Sequence, residues 1–229
     1  MFRFRQFTVD DSHTAMKVGT DGVLLGAWAR IEHDLPSPPL IVDIGCGCGL
    51  ISLMLAQRFP SARIIGVEID PLAASDAQRN VAASPFARRI TVTCADFLSL
   101  PPFPKGTCYV CNPPFYTEDI LAPDPHRATA RHSSHLPLPA IIKHVGMSPL
   151  SVILPSTQEA HFLALCHSEG LHLRRICRVR TTERKVPKRV MMDIGPKASD
   201  DISSSELILL NPDGSRSEDY ARLCQDFYL

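Results

Sequence analysis

The sequence predicts an α/β fold, a mostly parallel sheet with helices on both of its faces. Short apolar runs alternate with helical segments, the rhythm that crossover connections between parallel strands impose. The first run, residues 40–44, feeds straight into Gly45-Cys-Gly47-Cys-Gly49, a strand-to-helix turn in which backbone can approach a ligand closely. Polar residues suited to ligand binding then recur at successive strand ends, where open α/β sheets bind their ligands.

Taken in order, residues 50–57 read as the helix after the glycine loop. The strand 63–68 ends in Glu68, followed by Ile69-Asp70-Pro71. An acid there suits hydrogen bonding to ribose hydroxyls; the competing reading is a solvated strand end. The strand 90–94 is followed by Ala95-Asp96-Phe97, which can meet an adenine ring and its amino group. Asp96 also suits a helix N-cap. Residues 107–111 form a buried strand that runs into Asn112-Pro113-Pro114-Phe115. Prolines fix φ and bias the preceding residue toward extended geometry. Such a corner holds the Asn112 amide oxygen and the Pro113 carbonyl as two fixed acceptors for an exocyclic amine, with Phe115 as a stacking surface. Taken alone it could be a plain turn. Together, the strand-end motifs favour a nucleoside cofactor beside an amine acceptor.

Further on, a helix is expected over 139–145, a strand over 150–154, a helix over 157–168, and strands over 171–180 and 206–210. Residues 116–139 and 181–201 read as mobile loops, the first a candidate lid.

The order of motifs resembles the S-adenosylmethionine-dependent class I amino-methyltransferases. A narrower likeness runs through Ala15-Met-Lys-Val-Gly-Thr-Asp-Gly-Val-Leu-Leu-Gly-Ala-Trp28 and the ending Tyr220-Ala-Arg-Leu-Cys-Gln-Asp-Phe-Tyr-Leu229. These segments resemble the bacterial tRNA1(Val) adenine-N6-methyltransferases, and the likeness spans nearly the whole chain. The resemblance implies a Rossmann-like methyltransferase fold with a seven-stranded sheet and an antiparallel edge strand. It implies one domain over 1–229, with 1–38 closing over the cofactor and acceptor pocket. It also implies a cofactor site of Met16, Lys17, Thr20, Asp21, Asp43, Gly45, Gly47, Gly49, Glu68, Ile69, Asp96, Phe97 and Asn112. Asn112, Pro113 and Phe115 are then catalytic, and no general base is needed because the amine becomes acidic only after methylation. One departure stands out: this family usually carries Tyr where Phe115 stands. Phe there is frequent in rRNA guanine-N2 methyltransferases, and Asn-Pro-Pro-aromatic turns also serve protein glutamine N5-methyltransferases. Both remain alternatives.

Composition fits one enzyme domain of 229 residues that is 45 % hydrophobic. No apolar run reaches membrane-spanning length, and the start of the chain lacks the apolar stretch of a signal peptide. The eight cysteines are dispersed through expected strands and helices, which suits reduced thiols in a cytoplasmic protein. Cys108 and Cys111 read as buried strand residues, and no metal site is expected. Net charge is zero, but its distribution is uneven. Arg174, Arg175, Arg178, Arg180, Arg184, Lys185, Lys188 and Arg189 stand against Glu183 alone. Of these, Arg174, Arg175, Arg178, Arg184, Lys185, Lys188 and Arg189 are the candidate RNA contacts, since a dense basic segment can neutralise phosphates. A solvated charged face is the competing reading. The expected state is a monomer.

Overall fold

A computed structural model describes residues 1–31, 38–114, 136–199 and 201–229. Its core is an eight-stranded sheet built from β3 (Leu40–Ile44), β4 (Arg63–Glu68), β5 (Ile90–Cys94), β6 (Cys108–Cys111), β7 (Leu150–Pro155), β8 (His172–Arg180), β9 (Arg189–Gly195) and β10 (Ser203–Ile208). The strand order is β10-β8-β9-β7-β6-β3-β4-β5. A separate two-stranded hairpin pairs β1 (Phe2–Arg3) with β2 (Thr8–Val9).

Among the described residues the α-helices are α1 (Thr20–Trp28), α2 (Leu50–Arg58), α3 (Pro71–Ala82), α4 (Leu138–Val145), α5 (Glu159–Ser168) and α6 (Glu218–Leu223). Two apolar clusters fill the two sides of the sheet. One gathers α1, α2 and both chain ends, through Leu24, Met54, Phe4 and Phe227. The other gathers α4 and α5 against β6, β7 and β9, through Ile142, Phe162, Tyr109 and Met192. The doubly covered, mostly parallel sheet agrees with the expected class.

Two details differ from the expected sheet. It has eight strands instead of seven, and its antiparallel strand is internal. β9 runs antiparallel to both β7 and β8, while β10 adds parallel to β8 and forms the edge. Residues 189–195 fall inside the stretch expected to be a mobile loop, yet Val190 to Gly195 are all buried. A strand covered on both faces shows no alternation of apolar and polar residues. Met191, Met192 and Asp193 also lack the β-branched signature of strands. Asp193 is tolerated there because Arg175 Nε donates to it at 2.7 Å and Ser151 Oγ at 2.5 Å. The last strand starts three residues earlier than expected and ends two earlier.

Strand direction fixes which groups share a rim. β3, β4, β5, β6 and β7 are parallel, so Gly45, Glu68, Ala95 and Asn112 emerge at one end of the sheet. β8 points the same way as β7, because each is antiparallel to β9. The 181–188 connection therefore turns over on that same rim, whereas Arg174 and Arg175 lie toward the opposite end of β8.

Candidate active site

Gly45, Gly47 and Gly49 have φ of +66°, +54° and +81°, values that side chains disfavour. The loop follows β3 and hands over to α2, and its spacing is set by Glu68. The Glu68 carboxylate accepts from the Gly47 N–H at 2.8 Å and from the Asp70 N–H at 2.9 Å. Burial raises its pKa. Glu68 thus ties the glycine loop to the turn after β4, and each oxygen keeps a second lone pair for a ligand hydroxyl.

Beneath the loop, Asp43 is fully buried. Its Oδ2 accepts from Ser52 Oγ at 2.6 Å, while Oδ1 has no partner. Burial pushes its pKa up to about 7. Burial also raises the Cys46 and Cys48 thiols, Cys48 to about 11. Both are packing groups in the loop and not nucleophiles at neutral pH.

The loop opens into a cleft of about 340 Å³. One wall is the 16–22 segment, with Met16, Lys17, Thr20 and Asp21. The floor is Gly45 to Cys48 with Leu50 and Ile51, and Asn112 stands at its side. The chain thus brings the N-terminal segment, the glycine loop and the proline corner around one space. Its size falls in the range of small-molecule sites. Asn112 Oδ1 is buried and has no hydrogen-bond partner. A buried acceptor left open costs about 1–3 kcal/mol, so such an atom points to a donor brought by a ligand.

The remaining expected residues fall into three groups. Ile69 is partly exposed at the end of β4. Asp96 is exposed and caps a short 3₁₀ turn over Phe97–Ser99 by accepting from the Leu98 N–H at 3.0 Å. Phe97 itself is a core residue. Its ring packs on His144, Phe103 and Tyr109 and is not an adenine platform. Phe115 and most of the 116–139 stretch lie outside the described residues.

Lys17 lines the cleft, but Nζ donates to the Asp11 carbonyl at 2.5 Å and the Ser12 carbonyl at 2.9 Å. Its ammonium closes the 11–17 loop on itself. Two residues that sequence reasoning missed hold this loop down. Asn80 accepts from Asp10 N–H and donates to the carbonyls of Asp10 and Cys48. Asp76, fully buried, accepts from the His13 N–H and contacts the His13 ring, Thr14 and Arg79. The signal was present: Asp76 and Asn80 are four apart on a helix, beside Ala73 and Ala77 on one buried face.

The basic segment divides. Arg175 donates to Asp193 and to the Trp28 carbonyl, and its guanidinium lies 3.6 Å over the Trp28 ring. Arg178 pairs with Glu159, Arg180 with Glu206 and Arg189 with Asp21. Arg174 donates to the Ile194 carbonyl at 3.4 Å. Only Arg184, Lys185 and Lys188 of this run are exposed.

Comparison with known proteins settles the family. A methyltransferase domain profile matches residues 41–135. A tRNA1(Val) (adenine(37)-N6)-methyltransferase of Porphyromonas gingivalis is 41 % identical over all of this chain and 94 % of its own length. One from Vibrio parahaemolyticus is 38 % identical over all of this chain and 95 % of its own. The chain belongs to this methyltransferase family. Among solved structures, a predicted O-methyltransferase of Agrobacterium tumefaciens has a TM-score of 0.66 at 19 % identity, covering 90 % of this chain and 96 % of that one. A putative RNA methyltransferase of Pyrococcus horikoshii has a TM-score of 0.51 at 14 % identity, covering 68 % and 73 %. These two share the fold.

The donor of this methyltransferase is S-adenosylmethionine, and the site residues fit it. One buried acceptor, Asn112 Oδ1, stands without a partner beside a cleft bounded by the glycine loop, which lets a ligand approach the backbone closely. All eight cysteines are free thiols. Among the described residues, no group of His, Cys, Asp and Glu could hold a metal ion. No helix among them is long and apolar enough to cross a membrane.

Proposed function

We propose that this enzyme methylates N6 of the adenine at position 37 of tRNA1(Val). The observation that carries the chemistry is the unpartnered, buried Asn112 Oδ1 facing the cleft. The target class comes from the names of the relatives that match the whole chain.

S-adenosylmethionine supplies an electrophilic methyl group when bound. Gly45, Gly47 and Gly49 border its amino-acid portion, Glu68 meets the ribose, and Asp96 meets the adenine amino group. The target adenine leaves its stack at a cost of about a few kcal/mol. Stacking on Phe115 returns about 1–3 kcal/mol of that. Asn112 Oδ1 and the Pro113 carbonyl accept the two N6 hydrogens, which draws the nitrogen lone pair out of conjugation and aims it. These acceptors stabilise the positive charge that develops on nitrogen, and alignment supplies much of the remaining rate. The product ammonium loses its proton to water.

RNA docks on the rim that carries Asn112. Arg184, Lys185 and Lys188 project there from the β8–β9 turn, so they are the phosphate contacts. Residues 1–38 close over the cofactor and acceptor pocket. The enzyme works as a cytoplasmic monomer. Methylation of tRNA transcripts followed by nucleoside analysis tests this reading: N6-methyladenosine at position 37 is expected. N2-methylguanosine in rRNA, or a methylated protein glutamine, would overturn the target.

A further inference from the structure

Helix α1 begins weakly. Its N-cap is Gly19, with no side chain to satisfy the first N–H groups. Gly22 follows within the first turn, so the Gly19-Thr-Asp-Gly22 start is soft by composition. Yet this turn is a wall of the cleft, since Gly19, Thr20, Asp21 and Gly22 all line it. It is also packed tightly, because a Cβ on Gly22 would come within 3.1 Å of Leu50 Cδ2. A soft segment in a tight place needs a tether. One is visible: Arg189 Nε donates to Asp21 Oδ2 at 2.7 Å, with both side chains about one-third exposed or less. Arg189 is the first residue of β9, paired in register with Pro155 at the end of β7. It is therefore fixed by the sheet, on the same rim as Asn112.

We propose that Arg189 is a positioning residue: through its ion pair with Asp21, it anchors the first turn of α1 and so holds the cleft in its cofactor-binding shape. This removes Arg189 from the RNA contacts and gives it a role one layer behind the cofactor. The inference rests on the methyltransferase reading of the cleft, but not on which base is methylated.

The test uses the full chain with S-adenosylhomocysteine as probe. In calorimetry, Arg189→Met is expected to weaken binding about fivefold, the range open to a partly exposed pair. The isosteric Asp21→Asn should match it, and Arg189→Lys should recover most of the loss. Amide exchange in the first turn of α1 should quicken in Arg189→Met while the midpoint of global unfolding stays put. With saturating tRNA, KM for S-adenosylmethionine should rise by the same factor and kcat should stay within about twofold, because an anchor of the binding shape acts mainly on cofactor affinity. Neutralising Arg184, Lys185 and Lys188 should leave the affinity for S-adenosylhomocysteine unchanged. Unaltered affinity and unaltered exchange in both Arg189→Met and Asp21→Asn would overturn the proposal. Failure of the wild-type chain to bind S-adenosylhomocysteine would instead overturn the cofactor reading beneath it.

Discussion

The proline corner after β6 and the basic stretch along β8 and β9 make an instructive pair. Both stand out in the sequence by residue type, one by Asn-Pro-Pro and the other by charge. The corner's meaning is local: two prolines set the backbone, and the structure leaves the Asn112 acceptor open toward the cleft. The basic stretch takes its meaning from partners distant in sequence. Asp193, Glu159, Glu206 and Asp21 engage four of its arginines. A run of charge on a strand says little until its neighbours are known; a rigid turn carries its geometry with it.

The contrast can be broken or sharpened by mutation, beginning with the largest expected effect. Asn112→Ala should lower kcat by about 10²–10³-fold, the usual cost of losing one preorganised group at a site of developing charge. Its affinity for S-adenosylhomocysteine should stay near wild type; a parallel loss of both would make the corner structural. Arg175→Met should cost about 3 kcal/mol of stability in urea titrations, because Asp193 is left almost fully buried without its cation. It should leave the salt dependence of tRNA binding alone. Neutralising Arg184, Lys185 and Lys188 should do the reverse. The slope of log K against log salt should flatten by about two to three, near one unit for each phosphate no longer neutralised, while stability moves by about 0.5 kcal/mol or less. A further effect concerns pH. Asp43 has its pKa raised by burial to about 7, above its value in the unfolded chain. Its contribution to stability is then complete only below about pH 4 and is lost as pH rises from there through 7. Asp43→Asn should remove that fall, measured as the unfolding midpoint between pH 4 and 8.

Much of the fold was legible because its signals are short-range. The β3 run into Gly45, Gly47 and Gly49 announced a ligand-facing turn, and all three glycines adopt positive φ. β9 escaped notice because Val190 to Gly195 are covered on both faces and so carry no alternation. Phe97 was misplaced by its neighbour: Asp96 faces outward at the strand end, while the next side chain turns into the core. Asp76 and Asn80 act through the 10–14 loop, more than sixty residues away, and only the folded chain brings them together.

The proposed mechanism turns on the direction in which the Asn112 amide points. A crystal structure with S-adenosylhomocysteine and an anticodon stem-loop carrying the target adenine measures it directly. Asn112 Oδ1 is expected about 3 Å from N6, within hydrogen-bond range, with the N6 lone pair directed at the cofactor sulfur. An N6 amine bonded to other acceptors, with Asn112 turned away from the base, would contradict it.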